Sequence, residues 1–221
     1  MQTALSVGVF SRTCPIRQSV EVGSLHPVVA APLGDVVTRR LLVHRLNRYD
    51  LDGLAAIFAN ADVWRFEYGR GLKRVETEAF LTRQLKLWAD YGFGGCAVRE
   101  VDLAELIGVV GLAVPTVFQE HLPPVTVGWR FSPTAWGKGY ATEAATAVLD
   151  QAFTTMALDR VGCVTNAENL RSLAVAERLG MSFITEAPVQ REDRKGIVSA
   201  ALFQIARDDW LAARADRSPS M

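Results

Sequence analysis

The 221-residue sequence predicts one α/β (α+β) domain, on three observations. Short apolar runs of strand length alternate with longer stretches in which apolar residues recur every three or four positions. Gly, Pro, Asn or Asp stands at most of the boundaries between them. The chain is 49% hydrophobic, with 24 Lys+Arg against 24 Asp+Glu, which supplies one core and leaves no excess of either charge.

The clear patterning starts at Arg40. Residues 41–46 form an apolar run suited to a strand, and Asp50 is placed to cap a helix in which Leu51, Leu54, Ile57 and Phe58 share a face. A second helix is expected over 75–91, with Leu81, Leu85 and Trp88 inward and Glu76, Glu78, Arg83 and Lys86 toward water; Gly92, Gly94 and Gly95 end it. Residues 96–101 and 107–112, separated by a turn at Asp102, read as an antiparallel hairpin. A loop with Pro115, Pro123 and Pro124 leads to a strand over 125–131, which stops at Ser132-Pro133. The segment from Trp136 through Gly137, Lys138 and Gly139 then opens a helix whose stripe of Ala141, Ala145, Val148 and Ala152 permits close approach to a sheet. A strand over 160–165, a helix over 169–179 closed by Gly180, and strands over 181–185 and 198–206 complete the order. Residues 1–37 show no period and read as a poorly ordered N-terminal extension, 38–212 as the domain and 213–221 as a tail.

The even charge gives no electrostatic footprint for a nucleic-acid backbone, and no run of like charges marks a membrane-seeking tail; neither partner is expected. Cys14, Cys96 and Cys163 form no C-x-x-C pair, so neither a disulfide framework nor a thiolate zinc site is encoded, and a reducing cytoplasm fits best. His26, His44 and His121 form no H-x-x-x-H pair, and no metal is expected. The apolar residues 4–10 precede Arg12 and Arg17, against the order of a secretory signal. No stretch reaches the roughly 18 apolar residues that span a bilayer.

The chemistry concentrates where a strand meets Gly137-x-Gly139 and a helix. Glycines let backbone approach a ligand, and the free N–H groups of a helix N-terminus cradle phosphate oxygens, so a phosphate-bearing cofactor is the natural occupant. Lys138 lies between the glycines with no Ser or Thr after a G-K pair, so this is not a P-loop. Thr142 stands where a dinucleotide fingerprint needs its third Gly or Ala, and the preceding strands read as antiparallel, against a Rossmann unit. Alone, a G-x-G pair also serves as a tight turn and nothing more.

The longer string Trp136-Gly137-Lys138-Gly139-Tyr140-Ala141-Thr142-Glu143-Ala144, followed by Asn169-x-x-Ser172 and Leu179-Gly180-Met181, resembles the acyl-CoA-binding core of the GCN5-related N-acetyltransferase (GNAT) superfamily. Within it the string is most similar to the RimJ/RimL-like branch, whose members acetylate ribosomal-protein α-amines and other amines. The resemblance covers residues 38–210. Arg40-Leu41-Leu42-Val43 matches the opening strand, Ile107-Gly108-Val109-Val110-Gly111-Leu112 the hairpin, Gly128-Trp129 the splayed central strand and Asp208-Asp209-Trp210 the closing segment. It implies a mixed, mostly antiparallel sheet of six to seven strands, splayed between its two central strands and flanked by about four helices.

The same resemblance implies acetyl-CoA as co-substrate. Its pyrophosphate would lie on the backbone N–H groups of Trp136, Gly137, Lys138, Gly139, Tyr140 and Ala141, with Phe131 and Thr142 bounding the site. Pantetheine would pair with backbone in the slot between the diverging strands, where N–H groups polarise the thioester carbonyl. Asn169 matches the Asn that bonds the pantetheine arm, and Ser172 lies one turn on, on the same face. Both are also good helix caps, and the two roles can hold together. Two positions depart from the pattern. Thr134 stands where the wider family begins its loop with Gln or Arg, a small loss where backbone does the binding. Ala176 stands where many members carry a general-acid Tyr, which leaves Ser172 or a water to protonate a thiolate that departs readily at a pKa of about 8.5.

Direct transfer needs a neutral amine. At pH 7.4 an α-amine of pKa about 8 is roughly 20% neutral and a lysine of pKa about 10.4 only about 0.1%, so a sparsely equipped site favours α-amines. Glu67 and Tyr68, after the first helix, and Glu120 and His121, in the loop before the central strand, are the candidate proton acceptors, although exposed loop Glu and His are commonly just solvated. His44 reads as structural, Lys138 as a charge near phosphate without chemistry, and Cys96 and Cys163 as small buried groups rather than acyl carriers. Trp64, Phe66, Trp88 and Tyr91 are candidates for an acceptor pocket or for core, with the loops over 62–74 and 114–124 expected to form that pocket. The expected function is acetylation of a protein or peptide α-amine. The alternatives are a small-molecule amine, such as an antibiotic or metabolite, and a domain that binds acyl-CoA without turnover. The apolar edges leave room for a homodimer.

Overall fold

The structure, a computed structural model, describes residues 29–190 and 196–215. In chain order the elements are β1 (Val36–Val37), β2 (Leu41–Arg45), α1 (Leu51–Phe58), α2 (Arg74–Tyr91), β3 (Gly95–Glu100), β4 (Leu106–Ala113), β5 (Thr126–Phe131), α3 (Tyr140–Thr154), β6 (Arg160–Asn166), α4 (Leu170–Arg178), β7 (Ser182–Gln190), β8 (Ile197–Ala206) and α5 (Arg207–Ala215). The strands form one mixed sheet in the order β1-β2-β3-β4-β5-β6-β8-β7. Every neighbouring pair is antiparallel except β5 and β6, which run parallel because α3 carries the chain across between them.

Strand alternation puts the two larger apolar clusters on opposite faces of the sheet, and a third, small one gathers Leu122, Ala200 and Leu202. Leu41, Val43, Cys96 and Val98 project to the face covered by α3, while Ala97 between them joins Leu54, Ile57, Phe58 and Leu81 on the face covered by α1 and α2. The α3 stripe is buried at Ala145, Val148 and Ala152, with Leu149, Phe153 and Met156 beside it. Ala141, in the first turn, is only partly buried. These small residues let α3 lie across β2, β4, β5 and β6, which fixes its N-terminus over the middle of the sheet.

The expected elements stand, with differences at the ends. An eighth strand, β1, lies inside the stretch read as an extension. Leu33 is buried against α3, its N–H donates to the Gly92 carbonyl at 2.9 Å, and Gly34 exchanges hydrogen bonds of 2.7 and 2.9 Å with the Gln151 side chain. Residues 29–37 are therefore packed into the domain, and a boundary after 37 falls too late; residues 1–28 lie outside the described residues. A fifth helix, α5, occupies the expected closing segment and runs past residue 213, where a tail is expected. Asp208 and Asp209 suit its first turn, and Trp210 anchors it by donating to Asp150 Oδ1 at 2.9 Å. Asp50 does not cap α1 through its side chain. Its carboxylate reaches back to the Asn47 N–H (2.9 Å) and pairs with Arg99 (2.6 Å), while Asn47 caps the 3-10 turn that precedes the helix.

Candidate active site

The central strands separate as expected. β5 and β6 share one register pair, Thr126 with Gly162, closed by Gly162 N–H donating to Val125 O at 2.9 Å. Beyond it, no pairing joins the two strands toward Phe131 and Asn166, and β5 presents a free backbone edge there. Gly128 sits on this stretch, exposed, and a Cβ built on it meets nothing within 4 Å. An extended chain can therefore add to β5 as a strand would.

The Gly137–Gly139 loop closes the end of that opening. Both glycines adopt left-handed conformations, with φ of +75° and +79°, which side chains resist. The turn delivers the chain into α3, whose helical bonding begins with Glu143 N–H donating to Gly139 O at 3.0 Å. The loop is braced from behind. Trp136 donates its indole N–H to Phe131 O at 2.9 Å, and the Arg171 guanidinium lies 4.7 Å over the Trp136 ring. A Cβ on Gly137 meets nothing within 4 Å, so the space in front is open. Thr142 Oγ1, in the first turn of α3, is buried with no hydrogen-bond partner among the described residues. Lys138 is exposed, with Nζ 5.8 Å from the Tyr140 ring centroid. Open backbone, left-handed glycines, an orphaned hydroxyl and the first turn of a long helix together fit a phosphate-bearing chain that runs from the loop into the gap between β5 and β6.

One participant is absent from the sequence reading of this site. Arg40, on the loop before β2, donates to Glu143 through Nε (2.7 Å) and through its backbone N–H (3.1 Å), donates from Nη1 to Lys138 O (3.0 Å), and stacks 4.6 Å over the Tyr140 ring. Thr38 Oγ1 adds a 2.6 Å bond to the same carboxylate. Partial burial works against ionisation of Glu143, but the hydrogen bonds from Thr38 and Arg40 outweigh it and hold the carboxyl below its ordinary value. No local motif marks Arg40, since its partners lie about a hundred residues on.

Asn169 fulfils the capping role: its Oδ1 accepts from Ser172 N–H at 3.2 Å and starts α4. Ser172 is partly buried in the first turn, and Ala176 is fully buried one turn later, so no side-chain acid stands there.

Across β5, on the α1/α2 face, lies a cleft of about 380 Å³ whose lining includes Trp64, Glu67, Tyr68, Phe80, Arg83 and Arg130. Arg130 is two residues from Gly128, about 7 Å along the strand. It donates to Val63 O (2.6 Å) and to both Glu67 oxygens (2.8 and 3.4 Å), and its guanidinium lies 3.7 Å over the Trp64 ring. Trp64 Nε1 is buried without a partner among the described residues. The structure thus brings Glu67, Tyr68 and Trp64 together. Glu67 accepts from Arg130 on both oxygens, so it is held as an ion pair, with lone pairs left to accept from an amine. His121 and Glu120 hydrogen-bond to each other at 2.9 Å on the exposed loop and do not line the cleft. Trp88 belongs to the core, donating to Gly95 O at 2.9 Å, Tyr91 stacks on Phe93, and Phe66 lies beneath Arg65. His44 is structural, its Nε2 accepting from Arg99 at 3.2 Å. Burial pushes the Cys96 and Cys163 thiols up to about 12, which removes them as acyl carriers. Among the described residues no three His, Cys, Asp or Glu side chains gather to hold a metal, and no helix is long and apolar enough to cross a membrane.

The acetyltransferase (GNAT) domain family matches residues 40–182. The uncharacterized N-acetyltransferase YnaD of Bacillus subtilis (strain 168) is 27% identical over 148 residues, covering 66% of this chain and 81% of that one. Among solved structures, a GNAT-family acetyltransferase from Bacillus anthracis superposes with a TM-score of 0.66 at 23% identity, over 79% of this chain and 99% of that chain. The ribosomal-protein-S5-alanine acetyltransferase of Vibrio fischeri gives 0.64 at 18% identity, over 80% and 98%. At these identities the two structures share the fold with this chain.

Proposed function

Because the chain belongs to the acetyltransferase (GNAT) domain family, we propose that it is a cytoplasmic N-acetyltransferase of the RimJ/RimL-like kind, taking acetyl-CoA as donor and a protein or peptide α-amine as acceptor. The observation that carries the donor assignment is the gap between β5 and β6 ending at the Gly137–Gly139 loop. Backbone N–H groups from Gly137 to Ala141 bind the pyrophosphate, the Trp136 N–H expected among them being donated instead to Pro133 O at 3.2 Å, and Thr142 lends its unpartnered hydroxyl. Pantetheine lies along β5 from Phe131 toward Gly128, where β5 N–H groups polarise the thioester carbonyl. Asn169 and Ser172 face the pantetheine arm, and Ser172 or a water returns a proton to the departing thiolate. On the other side of β5, Trp64, Tyr68 and the Glu67–Arg130 pair receive the amine. An α-amine suits a site with no uncommitted strong base, since roughly 20% of it is already neutral at pH 7.4.

A small amine is the second reading, favoured by the cleft itself: about 380 Å³ with aromatic walls falls within the ordinary size of small-molecule sites. Calorimetric titration with acetyl-CoA tests the donor, with Gly137→Glu as control because a side chain and a negative charge there block the pyrophosphate. Micromolar binding that the variant loses is expected; no binding of acetyl-CoA, succinyl-CoA or CoA sinks the reading. Thiol release with N-terminal ribosomal-protein peptides against a panel of small amines then decides the acceptor, and silence with both after confirmed binding points to a domain that binds without turnover.

A further inference from the structure

We infer that Arg40 is a positioning residue for the anion cradle, acting through the Lys138–Gly139 peptide; the inference rests on the acyl-CoA reading above. A trans peptide unit is planar and its C=O and N–H point in opposite directions. Arg40 Nη1 holds Lys138 O at 3.0 Å, so the Gly139 N–H of the same unit is aimed away from Arg40. The loop needs that restraint. Gly139 sits at φ +79°, a conformation that glycine permits but does not enforce, so a bond from outside the loop helps to hold the Lys138–Gly139 peptide in one orientation.

The guanidinium is itself immobilised. Its Nε and Nη2 both reach Glu143 Oε2 at 2.7 Å, its backbone N–H reaches Oε1 at 3.1 Å, and Thr38 Oγ1 reaches Oε1 at 2.6 Å. Glu143 lies in the first turn of α3, so one side chain from the first half of the sheet ties loop and helix end into a single unit. The Tyr140 ring 4.6 Å beneath the guanidinium fills the remaining side. A lysine at this position cannot make the forked contact to Glu143 and the bond to Lys138 O together.

The test compares two ligands. CoA contains the pyrophosphate and pantetheine does not. CoA is titrated calorimetrically into wild type, Arg40→Gln, Arg40→Lys and Glu143→Gln, and pantetheine is measured by ligand-observed NMR, with circular dichroism to confirm folding. Both Arg40 variants are expected to bind CoA about tenfold more weakly, the scale of one hydrogen bond to a charged group, while pantetheine affinity stays within about twofold. Glu143→Gln should weaken CoA as well, and its combination with Arg40→Gln should add little, as for residues acting as one unit. Unchanged CoA affinity, or parallel loss of CoA and pantetheine, overturns the positioning role. Wild-type protein that fails to bind CoA overturns the acyl-CoA reading instead, which separates the two failures.

Discussion

Cys96 and Cys163 stand on strands that face the core under α3, and burial, joined at Cys96 by the nearby Asp35 charge, carries their thiols up to about 12 from 9.0. A thiol that keeps its proton in the native state is not a nucleophile. Native protein at pH 8 should therefore leave both residues unmodified by iodoacetamide, with both labelled once urea is added; peptide mass spectrometry checks this, and rapid native labelling would show that the sites open. Because the folded value is raised, the native state holds protons that the unfolded chain gives up above about pH 9. Stability is full below that pH and is lost as pH climbs toward 12, which urea midpoints across pH 8 to 11 measure. These fates are legible in the sequence, since a lone cysteine among strand residues with no partner spacing has little other use. Arg40 is not legible. Its role depends on Glu143 and Lys138 lying beside it in space, and nothing in the residues around it records that.

The element that shapes the acceptor side is the segment between α1 and α2, and one side chain of β5 fastens it. Arg130 holds Val63 O and Glu67 and stacks on Trp64, which in turn packs edge-on against Phe58 and Tyr68. Replacing it by Met keeps the stem and removes the bonds, at a cost of about 1–3 kcal/mol to that segment. Arg130→Met should speed amide exchange over residues 61–72 and raise the acceptor KM about tenfold or more, with CoA affinity within about twofold. Equal losses on donor and acceptor would mean that the cleft is not the acceptor side. Long elements such as α2 and β4 are visible in the sequence for different reasons: α2 by its length and the spacing of Leu81 and Trp88, which are buried, and β4 as a continuous apolar run buried on both faces. β1 has two residues and no period, and α5 buries Trp210 while exposing most of its length, so neither shows. The Glu67 and Tyr68 candidates sit on the right segment, but their pairing with Arg130 depends on the face of β5 that residue takes, which only the register with β4 fixes.

At the scale of the whole molecule the sheet is two halves, β1 to β5 and β6 to β8 with β7, joined by one register pair and by α3 lying across both. That seam is the weakest pairing of the sheet and also the proposed donor site. A ligand that adds to β5 in the gap replaces missing strand pairing, and one that also touches the α3 N-terminus links the seam to the helix that spans it. CoA at about 100 times its Kd should then stabilise the fold by roughly 2.7 kcal/mol, a rise in Tm of about 5–10 °C for a domain of this size. The rise should be absent in Gly137→Glu. The distribution of the effect is the sharper readout: amide exchange should slow at residues 127–131 of β5, at 162–166 of β6 and in the first turn of α3 together. If protection appeared only at the loop, with β5 and β6 unchanged, CoA would be held by its phosphates alone and the gap would not be where pantetheine lies.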